Sequence, residues 1–587
     1  MDIRHTGQDR ETTAPEALVR ALEGADPPLA PLRFASIHSV GGLPEDVDEA
    51  LAGRFRVGRE RLELAPPVDW SGAPFAAGGS RAFFQNSLVF ADPLLADERA
   101  AETLPVLTAL ALDWLGAHDL DDPDGHRFVR HDHAAAGRLV YLSWILREGI
   151  RLDVLDAGAR PALAAGVLAH AAFVSAEDNY VGAHNHGLFA DAALALAARA
   201  LAPAPESADW AALASARFRR VLDGTVHAGD AVHLEHSPYY HWIIQSALGR
   251  FADAGLFADL DLRDLVDRME EAGTWFAAPD GTLAAFGDTP SGTPAGGPTR
   301  RRAVAQQGVV GFPGAGYAVV RDGGSYLAVI AAHHPTAHKH ADDGSFVLYE
   351  DGRAIVGDTG AAGYEYAGVE RRYGVSPVAH SGVTVDGFDR LAAERPATGS
   401  GLLAVRDGGE DGLHAILARI PDLAAEGGDA LRLLLYRPGR WLTVADTFSA
   451  AVRGEVVTRR VQLAPDLRAE VRDGAVAIAR DGESVASLVV ATAAGRASDA
   501  VEVVRGRHAP DTAGWTLDAD VMLHPRDTVV LHGPGLHPRA FTLALAGAPA
   551  PEVSVAATEA MVSVRVREDD AVRHVRARAG AITVVGG

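Results

Sequence analysis

The chain has 587 residues, 54 Lys and Arg against 78 Asp and Glu for a formal charge of −24, and no cysteine. Phosphate binding needs a basic footprint, so nucleic acid is excluded as the partner, and disulfides, thiol catalysis and cysteine-ligated metal are excluded with the missing cysteine. Hydrophobic residues at 48% and charged residues at 22% describe a globular protein, too long for one core and without the ~20-residue apolar run of a membrane span.

Residues 1–75 mix short helical patterns with proline-rich connections, Asp26-Pro27-Pro28 and Ala65-Pro66-Pro67, and read as a lead-in packed on the first domain. The opening MDIRHTGQDRETTAPEALVRALEG is polar and lacks the apolar core of a secretory signal. A cytoplasmic location is therefore expected, or a secreted one if a leader was trimmed. Residues 76–300 form the second segment, where segments 104–115, 134–150, 161–174, 188–201, 210–222, 235–254 and 260–271 carry apolar residues at i, i+3, i+4 spacing. Several are apolar on most sides, which suits helices sandwiched between helices in a layered or toroidal α/α array. Residues 278–301 are loaded with Gly, Pro, Thr and Asp and read as a linker. From 301 to 587 short alternating runs are closed by turn residues, the pattern of an antiparallel β-sandwich. The expected class is α+β multidomain, an N-terminal (α/α) toroid followed by a C-terminal antiparallel β-sandwich.

Four stretches carry candidate chemistry. Asn185-His186-Gly187 stands just ahead of the helix 188–201, near a positive helix end that favours a carboxylate; the alternative is that Asn185 only caps the helix. In Glu235-His236-Ser237-Pro238-Tyr239-Tyr240-His241, placed on one helix, Ser237, Tyr240 and His241 share a face. That makes Tyr240 and His241 proton-transfer candidates, or Tyr240 a core residue with its hydroxyl satisfied. Arg138 lies two turns beyond His131 on one helical face and reads either as a carboxylate clamp or as a structurally paired arginine.

The fourth stretch runs from His333 to Asp358 and packs His333, His334, His338 and His340 around a hairpin turning at Asp351-Gly352. His338 and His340 point to one face of an extended segment. Pairing across the turn sets Asp358 opposite Ser345, out of parity with His340, so a shared site needs a bulge or loop near residues 342–344. His380, ahead of the run Val383-Thr384-Val385 and the turn Asp386-Gly387, reads as the third member of a zinc site with His340 and Asp358, the alternative being satisfied core or surface histidines. His333 and His334 read as packing or rim residues, and Tyr364, Tyr366 and Tyr373 as sugar-stacking surface or core.

In order, these segments resemble the heparinase II/III-like polysaccharide lyases across roughly residues 80–400. The matching elements are Asn185-His186-Gly187, then Glu235-x-Ser237-x-x-Tyr240-His241, then His338-x-His340 with Ser345-Phe346-x-Leu348, then Gly357-Asp358-x-Gly360, and His380 before Val383-x-Val385-Asp386-Gly387. Two positions depart: Ser381-Gly382 stands where the family commonly shows Asn-Thr, and Val375 stands near an expected second basic residue beyond Arg371.

The resemblance implies cleavage of 4-O-linked uronic acid units by β-elimination, with exo action on oligosaccharides expected. Asn185 would mask the carboxylate, Tyr240 would be the acid, and His186 or His338 the base. Arg138, Glu235, His241 and Arg371 are the expected substrate contacts. A zinc ion on His340, Asp358 and His380 would be structural, and the active site would lie at the domain boundary. The partner is then an anionic uronate-containing polysaccharide or oligosaccharide, with no nucleic acid and no membrane; a homo-oligomer is left open. Two rivals remain: a zinc hydrolase with a metal-bound water, and a non-catalytic carbohydrate-binding protein.

Overall fold

The structure, a computed structural model, describes residues 14–23, 44–57, 60–70, 80–91, 94, 99–202, 204–363, 368–424, 427–452, 455–491, 499–535, 537–558 and 561–586. The chain divides into two compact units, one of residues 1–225 and 243–266, the other of residues 226–242 and 267–587. Residues 267–300, which by composition belong to a linker and the helical domain, therefore pack with the strands.

The first unit is helical, with Ala100–Ala117, Asp132–Arg151, Ala159–Ser175, Asn185–Ala200 and Ser207–Thr225 as its long elements. Every side chain from His133 to Ile150 is buried, as expected of an Ala- and Leu-rich helix covered on all sides. Arg138 sits in that helix at 0% exposure. Its Nε donates to His170 Nε2 at 2.9 Å and its Nη1 to the Asn86 and Phe128 carbonyls at 2.6 and 3.2 Å, with Nη2 on the Val129 carbonyl. The guanidinium also lies over the Trp114 ring, 4.2 Å from its centroid. Arg138 is thus a structural pin and not a carboxylate clamp: its donors are spent on carbonyls left open by neighbouring loops. The helix Asn185–Ala200 begins where the loop before it crosses closely. A β-carbon on Gly187 would stand 2.2 Å from the Gly182 carbonyl oxygen, so only glycine allows that approach.

The second unit is built from antiparallel sheets. A five-stranded sheet runs in the order Arg353–Val356, Phe346–Glu350, Ser325–Ile330, Tyr317–Asp322, Gly308–Phe312. An eight-stranded sheet has Ala430–Arg437, Trp441–Phe448, Arg539–Leu545 and Glu483–Ala491 at its centre. Strand alternation sorts the side chains of the five-stranded sheet: Ala318, Val320, Leu327 and Val329 join Leu434, Val444 and Phe541 of the large sheet in one core. Tyr317, Val319, Tyr326 and Ala328 face the other way, onto Val232, Phe276, Ala284 and Phe286. The far face of the large sheet, Leu433, Leu435 and Trp441, is covered by Val562, Val564 and Val575 of a C-terminal four-stranded meander. Three layers of sheet therefore enclose two cores. Among the described residues no helix is long and apolar enough to cross a membrane.

The buried Arg138–His170 pair makes the helical unit acid-sensitive. Burial, and secondarily the Arg138 charge, push the His170 imidazole down to about 3. Below the ordinary value near 6.5 the unfolded chain takes up a proton that folded His170 refuses, so stability is full above pH 6.5 and is lost as pH falls towards 3. The whole effect is roughly 3–5 kcal/mol for a fully buried imidazole. Thermal melts at pH 7.5 and 5.0 should show a fall in Tm of several degrees for the wild type and a clearly smaller fall for His170→Gln, whose amide oxygen still accepts from Arg138.

Candidate active site

The hairpin forms as the turn signal requires. Strands Phe346–Glu350 and Arg353–Val356 pair antiparallel with Glu350 opposite Arg353, and Asp351 and Gly352 take φ of 50° and 76°, the backbone of a two-residue primed turn. The register then shifts between Ala354 and Val356, a bulge in the return strand, and the loop expected near residues 342–344 is a turn closed by the Ser345 amide on the Asp342 carbonyl at 2.9 Å, with Gly344 at φ 76°. Ser345 Oγ donates to Asp358 Oδ2 at 2.9 Å.

Between residues 333 and 344 the chain forms a loop pinned by the segment before Tyr240. His236, at φ 60°, accepts the His334 amide on Nε2 at 2.9 Å and donates from Nδ1 to the Ala337 carbonyl at 3.0 Å. Thr336 Oγ1 donates to the Leu234 carbonyl at 2.8 Å. The helix starts at Pro238 and not at Glu235: Ser237 precedes it, its Oγ accepting the Tyr240 amide at 3.3 Å and bonding Thr289 Oγ1 at 2.8 Å. Ser237 is a cap, so it does not share a helical face with Tyr240. Nor is His241 a substrate contact. It is 2% exposed, with Nε2 on the Met269 carbonyl at 2.8 Å and Nδ1 accepting the His233 amide at 3.2 Å.

Tyr240 and His338 do meet. Their rings stack with centroids 3.6 Å apart at 20°. His338 is held at φ 61°, a left-handed backbone that residues with a β-carbon seldom adopt. Its Nδ1 lies 2.8 Å from Asp288 Oδ2 and its Nε2 lies 3.6 Å from Glu235 Oε2. Asp288 also takes His340 Nε2 on Oδ1 at 3.0 Å and Arg371 Nη1 on the same oxygen at 2.5 Å. Burial alone would push the Asp288 carboxyl up, but the hydrogen bonds from His338 and His340 outweigh it and hold it well below the ordinary carboxylate range. Gly287 lets this carboxylate approach: at φ 51°, a β-carbon there would stand 2.6 Å from the His236 carbonyl oxygen and 2.8 Å from that of His338.

Of the three expected metal ligands, His380 and Asp358 bond one another, whereas His340 bonds Asp288. His380 Nδ1 is 2.7 Å from Asp358 Oδ1. His340 and His380 ring centroids are 5.4 Å apart, and His340 Nδ1, His380 Nε2 and Asp342 Oδ2 are buried with no hydrogen-bond partner. Each imidazole thus keeps one nitrogen on a carboxylate and has the other buried without a protein partner, as in a metal-ligating histidine with its supporting carboxylate. Asp358 is placed as the support of His380. Burial would lower the His380 imidazole, but Asp358 outweighs it and raises it; Asp358 in turn is lowered, the His380 interaction outweighing burial.

Asn185 and His186 belong to the helical unit. The helix cap is His184, whose Nδ1 accepts the His186 amide at 3.1 Å; Asn185 is 5% exposed in the first turn. His186 Nδ1 is 3.2 Å from Asp132 Oδ1. Among the described residues, the group of His, Asp or Glu ligand atoms all within 4.8 Å of one another is His131, Asp132 and His186. His333 and His334 are buried packing residues at 7% and 9% exposure. Tyr373 is core at 3% exposure, its hydroxyl on the Trp515 carbonyl. Tyr364 and Tyr366 lie outside the described residues.

Sequence reasoning missed Asp288, Asp132 and His236. Asp288 sits in Gly287-Asp288-Thr289-Pro290 inside a stretch whose composition signals only a linker. Turn residues there conceal a carboxylate placed by tertiary contacts alone.

Residues 305–569 match the heparinase II/III-like, C-terminal family model. Among solved structures the chain is similar to heparinase III, with a TM-score of 0.68 at 15% identity, covering 97% of this chain and 95% of that one. It is similar also to heparan sulfate lyase HepC from Pedobacter heparinus, with a TM-score of 0.60 at 16% identity over 98% and 93% of the two chains. A xanthan lyase from Paenibacillus gives a TM-score of 0.53 at 12% identity, covering 97% of this chain and 66% of that one. None of the curated proteins matches the chain by sequence. These likenesses establish the fold, a helical toroid with an antiparallel β-sandwich.

Replacing Asp288 by Ala should cost about 3–5 kcal/mol, because the buried His340 and His338 lose the carboxylate that accepts from them, and thermal or denaturant unfolding reads this directly. Gly287→Ala should be destabilised to a similar degree. A Tm within 1 °C of wild type for either variant would contradict the geometry described.

Proposed function

Taking the heparinase II/III-like C-terminal region at residues 305–569 as the premise, we propose that the protein is a polysaccharide lyase that cleaves 4-O-linked uronic acid units by β-elimination. The observation that carries this reading is the Tyr240–His338 stack, with Asp288 on one imidazole nitrogen and Glu235 beside the other. Elimination requires three things: masking of the uronate carboxylate, removal of the C5 proton, and protonation of the leaving oxygen at C4.

His338 suits the base. With Nδ1–H donated to Asp288, the lone pair is on Nε2, and an imidazolium formed by taking the C5 proton has a carboxylate at each nitrogen. Tyr240 suits the acid, its phenol supplying the proton to the departing glycosidic oxygen. The Asp288 carboxylate fixes the imidazole plane, as the orienting member of a triad does. Asn185 and His186 keep the roles the resemblance gives them, an amide donor to the uronate carboxylate and a second base.

Zinc fits the unpartnered nitrogens of His340 and His380, with Asp358 supporting. His340 and His380 would hold such an ion, which would supply positive charge tying the histidine loop to the sheet. The substrate is an anionic uronate-containing polysaccharide or oligosaccharide, and exo action is the finer form of the proposal.

A panel of uronate polymers and oligomers, followed by ultraviolet absorbance of the unsaturated product, tests the reading. Tyr240→Phe and His338→Gln should each lower kcat by about 10²–10⁴-fold with Tm preserved, and Asn185→Ala should lose activity as well. New reducing ends without ultraviolet absorbance would turn the assignment to a hydrolase, and no product on any substrate to a binding protein. Release of single unsaturated units, without a ladder of intermediate sizes, is the expected exo pattern.

A further inference from the structure

The helical unit gathers four imidazoles round one carboxylate at the start of two helices. The His186 ring centroid lies 5.3 Å from that of His131, 4.7 Å from His133 and 4.3 Å from His184. One oxygen, Asp132 Oδ1, stands 3.2 Å from His131 Nδ1 and 3.2 Å from His186 Nδ1. Two ligands bound at about 2.1 Å to a tetrahedral ion stand about 3.4 Å apart, so these separations are those of neighbouring ligand atoms. His131 Nδ1 is buried and has no hydrogen-bond partner, although its distance to Asp132 is short. A nitrogen left so costs about 1–3 kcal/mol, which coordination would remove. The side chains of His131, Asp132 and His186 are 30%, 12% and 26% exposed, so an ion has access from solvent.

We propose that His131, Asp132 and His186 form a binding site for a divalent transition-metal ion of the zinc class, separate from the His340 and His380 pair. Two imidazoles and one carboxylate suit such an ion. A tetrahedral ion held this way keeps its fourth position for water or a small ligand. The Asp132 carboxylate, in the first turn of its helix, supplies the negative charge that offsets the positive ends of both helices. Binding would join the first turn of Asp132–Arg151 to the first turn of Asn185–Ala200. The proposal does not rest on the lyase reading, but it bears on it: with the ion bound His186 has no free lone pair, so the second-base role belongs to the metal-free site and His338 is the base of the metal-bound one.

The test uses the full chain, stripped with chelator and titrated with zinc. In the wild type, zinc should slow carbethoxylation of both His131 and His186 by diethyl pyrocarbonate, read by mass spectrometry, by about fivefold or more, and chelator should reverse the protection. By calorimetry, the double variant His131→Gln, Asp132→Asn should lose one zinc equivalent or weaken it by about tenfold or more, whereas His340→Gln should retain it. Unchanged carbethoxylation at both histidines under saturating zinc would overturn the proposal. So would a folded double variant that binds the same number of ions with the same affinity. If the double variant fails to fold, the wild-type protection experiment decides alone.

Discussion

A single buried carboxylate organises the second unit. Asp288 is 3% exposed and takes hydrogen bonds from His338, His340 and Arg371. Removing a carboxylate from water costs several kcal/mol, which only a full set of donors offsets. The three donors come from different places: two from the loop between strands and one from the helix Val369–Gly374. Asp288 itself sits in a stretch without regular structure, so the loop cannot adopt another conformation without stranding a charge. Everything placed by the loop, including the stack on Tyr240 and the unpartnered nitrogen of His340, inherits that constraint.

Much of the architecture was legible before the structure. The helix 134–150 was found to within two residues as Asp132–Arg151, because its apolar period is unbroken. The Asp351-Gly352 turn was legible because only a few dipeptides tolerate two successive positive φ values. The candidate site was legible in part. Tyr240 and His338 were named separately and prove to be stacked, yet Glu235 was placed on a helix that begins three residues later. Pro238 suits a first helical position, and that signal was available.

What could not be read is what depends on burial. Arg138 and His241 look like functional side chains on a helical face, and both are consumed by backbone groups from distant segments. Periodicity reports which face a residue occupies and says nothing of which orphaned carbonyl lies opposite. The loop at residues 342–344 was legible from parity and Gly344, whereas the bulge at Ile355 was not, because alternation is interrupted there without any glycine to mark it. Asp288 combines both problems, since a carboxylate in a turn-rich stretch is ordinary until its three partners are known.

The left-handed backbone of His338 has a consequence for how the protein would respond to laboratory evolution. A β-carbon in that conformation stores on the order of 1 kcal/mol or more of strain, which glycine would relieve. Glycine would also take one of three donors from the buried Asp288 carboxylate and remove the stack on Tyr240, which costs more than the strain relieved, so a screen for heat resistance alone would keep the imidazole. Libraries meant to harden the scaffold should hold this codon fixed.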